Sequence, residues 1–184
     1  MDLALVLLPI MGFIALAAGL AVVFRGTARI AAQTREIRQF QTGLKELAGR
    51  ADQTLGAAAG QIDQVRHHQA GPELIGQAVL DTTETLERYT EEARSLKGPR
   101  RTRPIRDELV ADLERASRAI AMVDHGAKML ASARRGNRDL EAQTSIKRGY
   151  LNLIHAREAI LRQSLRADRL RIDERLRTPA GPEG

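Results

Sequence analysis

The chain has 184 residues, no cysteine, no tryptophan, two tyrosines and three phenylalanines, and a formal net charge of +6. Without cysteine there are no disulfides, thiolate metal sites or cysteine nucleophiles. With so few aromatics, the core has to be built from Leu, Ile, Val and Ala, which favours helices over sheets.

The first element is an uncharged run from Leu3 to Phe24, ended by Arg25. At 1.5 Å per residue it makes a helix of about 33 Å, enough to cross a hydrocarbon core of about 30 Å. It predicts a transmembrane anchor over residues 1–24. A cleaved secretory signal is the competing reading and would make a secreted helical protein. Such a signal wants a basic n-region and a shorter apolar core, whereas here only the terminal amine and Asp2 precede the run. Within the run, Gly12, Ala15 and Gly19 share one helical face and could pack two spans closely.

Arg25, Arg29, Arg35 and Arg38 follow the run, opposed only by Glu36. Cytoplasmic flanks collect Lys and Arg, so the expected topology is single-pass, with the N-terminus outside and the C-terminal domain in the cytoplasm. The excess of arginine over lysine, with abundant Ala and Gly, suits a GC-rich bacterial genome, hence an inner membrane. Residues 25–177 form the predicted cytoplasmic bundle, roughly one domain's worth of chain.

A helical stripe leaves the run directly. Ile30, Ile37, Leu44, Ala51, Ala58 and Val65 recur every seven residues, with Phe40, Leu47, Leu55 and Ile62 between them. Gly56 to Gly60 is either a close-approach point or a kink. Gln69-Ala-Gly-Pro72 is the first break. A second helix is predicted from about Glu73 to Leu96, along Ile75, Val79, Thr82, Leu86, Tyr89, Ala93 and Leu96.

The basic turn KGPRRTRP follows. A third helix is predicted from Ile105 to Arg135, along Leu109, Leu113, Ala116, Ile120, Val123, Ala127 and Leu130. A fourth starts between Asp139 and Thr144 and runs to about Leu176, lined by Ile146, Tyr150, Leu153, Ile154, Ile160, Leu161 and Leu165. Residues 178–184, TPAGPEG, read as a disordered tail. Short connections between long amphipathic helices predict an all-α fold: an N-terminal transmembrane helix followed by an antiparallel bundle of about four helices with coiled-coil-like heptad packing. A coiled coil between chains would use the same stripes, so a homo-oligomer stays open.

No catalytic constellation emerges. GxSxG, Walker A, GxGxxG, HExxH and EF-hand patterns are all missing. His67 and His68 are consecutive and chelate poorly, while His155 lacks a phosphotransfer context. Glu84, Glu87, Glu91 and Glu92 read as a solvated face opposite Arg88 and Arg94. A buried carboxylate dyad would have to come from the apolar-face positions, and these hold no carboxylate. No enzyme, metal or cofactor is expected.

The basic features are better defined. Lys97, Arg100, Arg101, Arg103 and Arg106, with Arg25 and Arg29 at the membrane flank, are the candidate contacts for anionic lipid or polymer. Nucleic acid is the weaker choice because no stacking aromatics are interleaved. A second arginine cluster from Arg157 to Arg177 is mixed with Asp168, Asp173 and Glu174, and reads as a salt-bridged exposed helix. The leading functional expectation is a non-catalytic interaction or scaffold module tethered to a membrane, with an unidentified protein partner.

Overall fold

In the computed structural model the described backbone covers residues 3–67, 73–132 and 138–177, with side chains described over 32–67, 75–132 and 139–170. It is all-helical: α1 Leu3–Arg66, α2 Glu73–Ser95, a 3-10 turn Arg100–Thr102, α3 Arg103–Ser132 and α4 Arg138–Arg177. Helix α1 has 64 residues and is unbroken through Gly56 and Gly60, which gives it a length of about 96 Å.

Contacts that join the helices fix an antiparallel up-and-down order. Along α1, Gln41, Lys45 and Asp52 meet Ala167, Asp168 and Arg157 of α4, so one helix descends as the other climbs. Arg50 of α1 pairs with Glu92 of α2, and Arg94 of α2 with Glu114 of α3 at 2.9 Å. Ser145 of α4 donates to the carbonyl of Met122 of α3 at 2.9 Å. Each helix packs mainly on its neighbours in this ring, and α1 and α3 lie diagonally with little contact.

The core follows from the sequence stripes. Ile37, Phe40, Leu44, Leu47, Ala51, Leu55, Ala58, Ile62 and Val65 of α1 are all buried, as are Ile75, Val79, Leu86 and Ala93 of α2. Helix α3 contributes Ile105, Leu109, Leu113, Ala116, Ile120, Val123 and Ala127. Burying each large apolar side chain is worth about 1.5–3 kcal/mol, so these rows rather than helix propensity hold the bundle together.

Helix α4 departs from the expected stripe. Ile146, Leu153 and Ile160 are buried, but Leu161 and Leu165 point outward, with Leu165 61% exposed. The inward row instead runs through Ala142, Ile146, Gly149, Leu153, Ala156, Ile160, Gln163 and Ala167. Small residues fill this row because α3 and α4 lie close. A Cβ on Gly126 would sit 2.8 Å from the Ala142 carbonyl oxygen, and one on Gly149 would sit 2.8 Å from that of Ala119. At such an approach only glycine fits.

Among the described residues no helix is long and apolar enough to cross a membrane. The run Leu3–Phe24 lies in the part of α1 whose side chains are outside the described set. So do Gly12, Ala15, Gly19, Arg25, Arg29 and Ile30. The predicted breaks at 69–72 and 134–137 and the predicted tail at 178–184 also fall outside it.

Candidate functional site

The α2–α3 connection is the first candidate. Gly98 packs against Phe40 of α1: a Cβ there would lie 3.1 Å from the phenyl ring and 2.5 Å from the Thr102 hydroxyl. Thr102 is buried, and its hydroxyl and backbone N–H both donate to the Pro99 carbonyl, at 2.8 and 2.9 Å. Pro104 then falls in the first turn of α3, where its missing N–H costs nothing. This local knot holds Lys97, Arg100, Arg101 and Arg103 outward, all exposed. Arg106 is separated from them by its bond to Asp107 at 2.9 Å.

The same contacts set the position of this basic turn along the bundle. It lies level with Phe40, at the end from which α1 leads back toward its N-terminus. Arg35 and Arg38 are exposed beyond it. The turn therefore stands apart along α1 from Arg25 and Arg29, whose side chains lie outside the described residues.

The second candidate is polar and was missed in the sequence. Asp112 is buried, contrary to the expectation that the apolar faces hold no carboxylate. It lies one place before Leu113 on the inner side of α3. The Gln163 amide of α4 donates to Asp112 Oδ2 and to Glu108 Oε2, both at 3.1 Å. Arg115 caps Asp112 at 2.5 Å and Arg166 pairs with Glu108. Each carboxylate thus has a guanidinium and a shared amide, leaving no free acid–base pair. Burial requires such pairing, and the cluster acts as a polar latch between α3 and α4.

Between α1 and α4, Arg157 grips Asp52 with two nitrogens, at 2.5 and 3.2 Å. That hydrogen bond holds the Arg157 guanidinium above its ordinary pKa, against the opposing effect of partial burial. The bond to Glu92 does the same for Arg50, which also lies 5.3 Å from the centre of the Tyr89 ring. Arg66 lies 4.5 Å from that of Tyr150, consistent with cation–π contact. These arginines brace the bundle rather than present charge to a ligand.

Histidines form no site among the described residues. His67, just past the end of α1, His125 on α3 and His155 on α4 are exposed, and His68 lies outside the described set. No group of three metal-ligating side chains comes together among the described residues. Of the predicted acidic face, Glu84, Glu87 and Glu91 are exposed, while Glu92 bridges to α1 through Arg50. An open groove of about 270 Å³ separates α1 and α2 and is lined by Thr54, Ala58, Gln61, Asp81 and Thr85 among others. It has no convergent set of charged or nucleophilic groups.

The third candidate is the outer face of α4. Leu140 is 72% exposed, Leu151 46%, Leu161 37% and Leu165 61%. With Thr144, Lys147 and Glu158 between them they fall in one register of alternating three- and four-residue steps, on the side roughly opposite the inward row; Ile154 shares the register but is half-buried against the core. Helix α4 is therefore apolar on two faces, of which the bundle covers one. The other described helices show nothing comparable: Leu80 on α2 is exposed alone, between Gln77 and Glu84.

No protein-family model, curated protein or solved structure matches the chain.

Proposed function

We propose that the chain is a single-pass bacterial membrane protein whose cytoplasmic helical bundle is a non-catalytic protein-interaction module. The observation that carries this reading is the uncharged run Leu3–Phe24, continuous in one helix with the bundle core and flanked on the bundle side by Arg25 and Arg29. The interaction surface is the outer face of α4. Exposed leucines on one regular stripe of an otherwise charged helix are what helix-in-groove and helix-pairing contacts use.

Alkaline extraction of the membrane fraction tests the anchor. The full chain should stay in the pellet with its N-terminus intact by mass. Leu16→Arg in the run should shift it toward the soluble fraction. A chain extracted without detergent, or shortened by cleavage near Ala21, would sink the proposal.

A second reading has one observation in its favour: Gly98 against Phe40 sets Lys97, Arg100 and Arg103 at the end of the bundle nearer the run. Length works against lipid as the ligand. From Phe24 to Phe40 an upright helix rises about 24 Å, well beyond the screening length of about 8–10 Å. Reversing Lys97, Arg100 and Arg103 to Glu should therefore leave binding to anionic vesicles unchanged. Lost nucleic-acid binding in that variant would favour a polymer ligand instead.

A further inference from the structure

We infer that the bundle pairs with a second copy of itself, antiparallel, through the outer face of α4. This names the partner of the interaction surface above. It rests on the α4 surface alone and stands whether or not Leu3–Phe24 spans a membrane.

The stripe is Leu140, Thr144, Lys147, Leu151, Ile154, Glu158, Leu161 and Leu165, about 37 Å of helix at 1.5 Å per residue. A two-fold axis between Asn152 and Leu153, perpendicular to the helix, maps the stripe onto itself. It sets Leu140 against Leu165 of the second copy, Thr144 against Leu161, Leu151 against Ile154, which is half-buried against its own core, and Lys147 against Glu158. Every apolar position then meets an apolar or threonine side chain. The two charged positions meet each other, twice by symmetry. On one flank the same axis brings Glu141 beside Arg162 of the second copy, again a pair of opposite sign. A two-fold interface must be self-complementary in this sense.

Lys147, Glu158, Glu141 and Arg162 are all exposed, and none of them is in an ion pair among the described residues. Their neighbours behave differently: Arg157, Arg166 and Asp168 are each engaged within the chain. Lys147, Glu158, Glu141 and Arg162 are thus among the charges left over on α4, with Asp139, Arg148 and Arg169, and these four are the ones the antiparallel register would pair. A parallel pairing stacks Lys147 on Lys147 and Glu158 on Glu158 within an apolar seam, and like charges there cost several kcal/mol. A charged layer at a single position of each sign is how helical pairs select register and orientation.

The axis has a geometric consequence. The N-terminal parts of the two α1 helices leave the pair in opposite directions. For chains anchored as proposed, the pair joins two facing membrane surfaces on the order of 100 Å apart rather than neighbours in one surface.

The test uses full-length protein in detergent and exploits the lack of native cysteine. A chain carrying Thr144→Cys and Leu161→Cys should oxidise to a covalent dimer. Within one chain these positions are about 25 Å apart along the helix and cannot bridge. Either substitution alone should stay monomeric under denaturing conditions. In parallel, Lys147→Glu or Glu158→Lys alone should weaken association, read by sedimentation, by about tenfold or more, while the double reversal restores it. Restoration also shows that the variants fold. Crosslinking by the single-cysteine chains, a monomer at all concentrations, or a double reversal as weak as the singles would each overturn the antiparallel pair. None of these results bears on alkaline extraction, so the anchor stands or falls separately.

Discussion

Arg157 of α4 reaches across the bundle to Asp52 of α1, bonding both carboxylate oxygens, over the space that Gly56 leaves one turn further along α1. A Cβ on Gly56 would meet the guanidinium carbon at 3.4 Å, so alanine fits and a longer side chain does not. The glycine is there for an arginine, not for a backbone crossing.

Asp52→Asn keeps the shape and removes the charge. With both partners partly exposed, the expected loss is about 0.5–1.5 kcal/mol in urea unfolding. Gly56→Leu should cost more, because it displaces the guanidinium outright. The pair should also be insensitive to alkali. A base whose folded pKa is raised contributes fully below its ordinary value and loses that contribution only as the pH rises from there through the raised folded value. Raising the pH from neutral to about 10 should leave the Asp52→Asn effect unchanged.

Glycines divide by what surrounds them. Gly126→Val and Gly149→Val drive a side chain into the facing helix backbone and should destabilise by about 1–3 kcal/mol or more. Gly49 and Gly60 face open space, so Ala at either should stabilise by up to about 1 kcal/mol. Thermal midpoints of the four variants would separate the two groups in opposite directions.

Gln163 serves two carboxylates with one amide. Replacing it with Leu strips that donor from buried Asp112 and from Glu108 and should cost about 1–3 kcal/mol. If unfolding of Gln163→Leu matched the parent chain, the latch would be ornamental.

The two faces of α4 and the core of α3 make a direct comparison. Leu113→Ala empties a fully buried site and should cost about 2–5 kcal/mol. Leu165→Ala touches a side chain that is 61% exposed and should change chain stability by less than about 0.5 kcal/mol. It should still weaken self-association.

Much of this architecture is legible in the sequence, because large apolar residues at steps of three and four mark the inner faces of α1, α2 and α3. The end of α2 follows too, since the KGPRRTRP turn closes it. Helix α4 misleads for a physical reason. Its leucines advertise one stripe, yet its tightest packing is made by Ala142, Gly149 and Ala156, which carry little hydrophobic signal. Close approach of α3 selects small residues, and that approach is a property of the pair rather than of either segment. Asp112 was missed for a related reason: the amide that reaches it across the bundle, Gln163, lies on another helix. The basic turn, by contrast, could be placed at one end of the bundle from helix alternation alone.

The central claim, a cytoplasmic bundle tethered by Leu3–Phe24, is tested most directly by labelling a single introduced cysteine. Position 98 is unsuitable, because a side chain there would strike Thr102 and Phe40. Leu80→Cys is better, since that side chain is 67% exposed on α2 and lies off the α4 stripe. A membrane-impermeant maleimide should leave it unlabelled in intact cells and should label it in the membrane fraction once the cells are opened. Labelling in intact cells, or a labelled chain found only in the soluble fraction, would contradict the account.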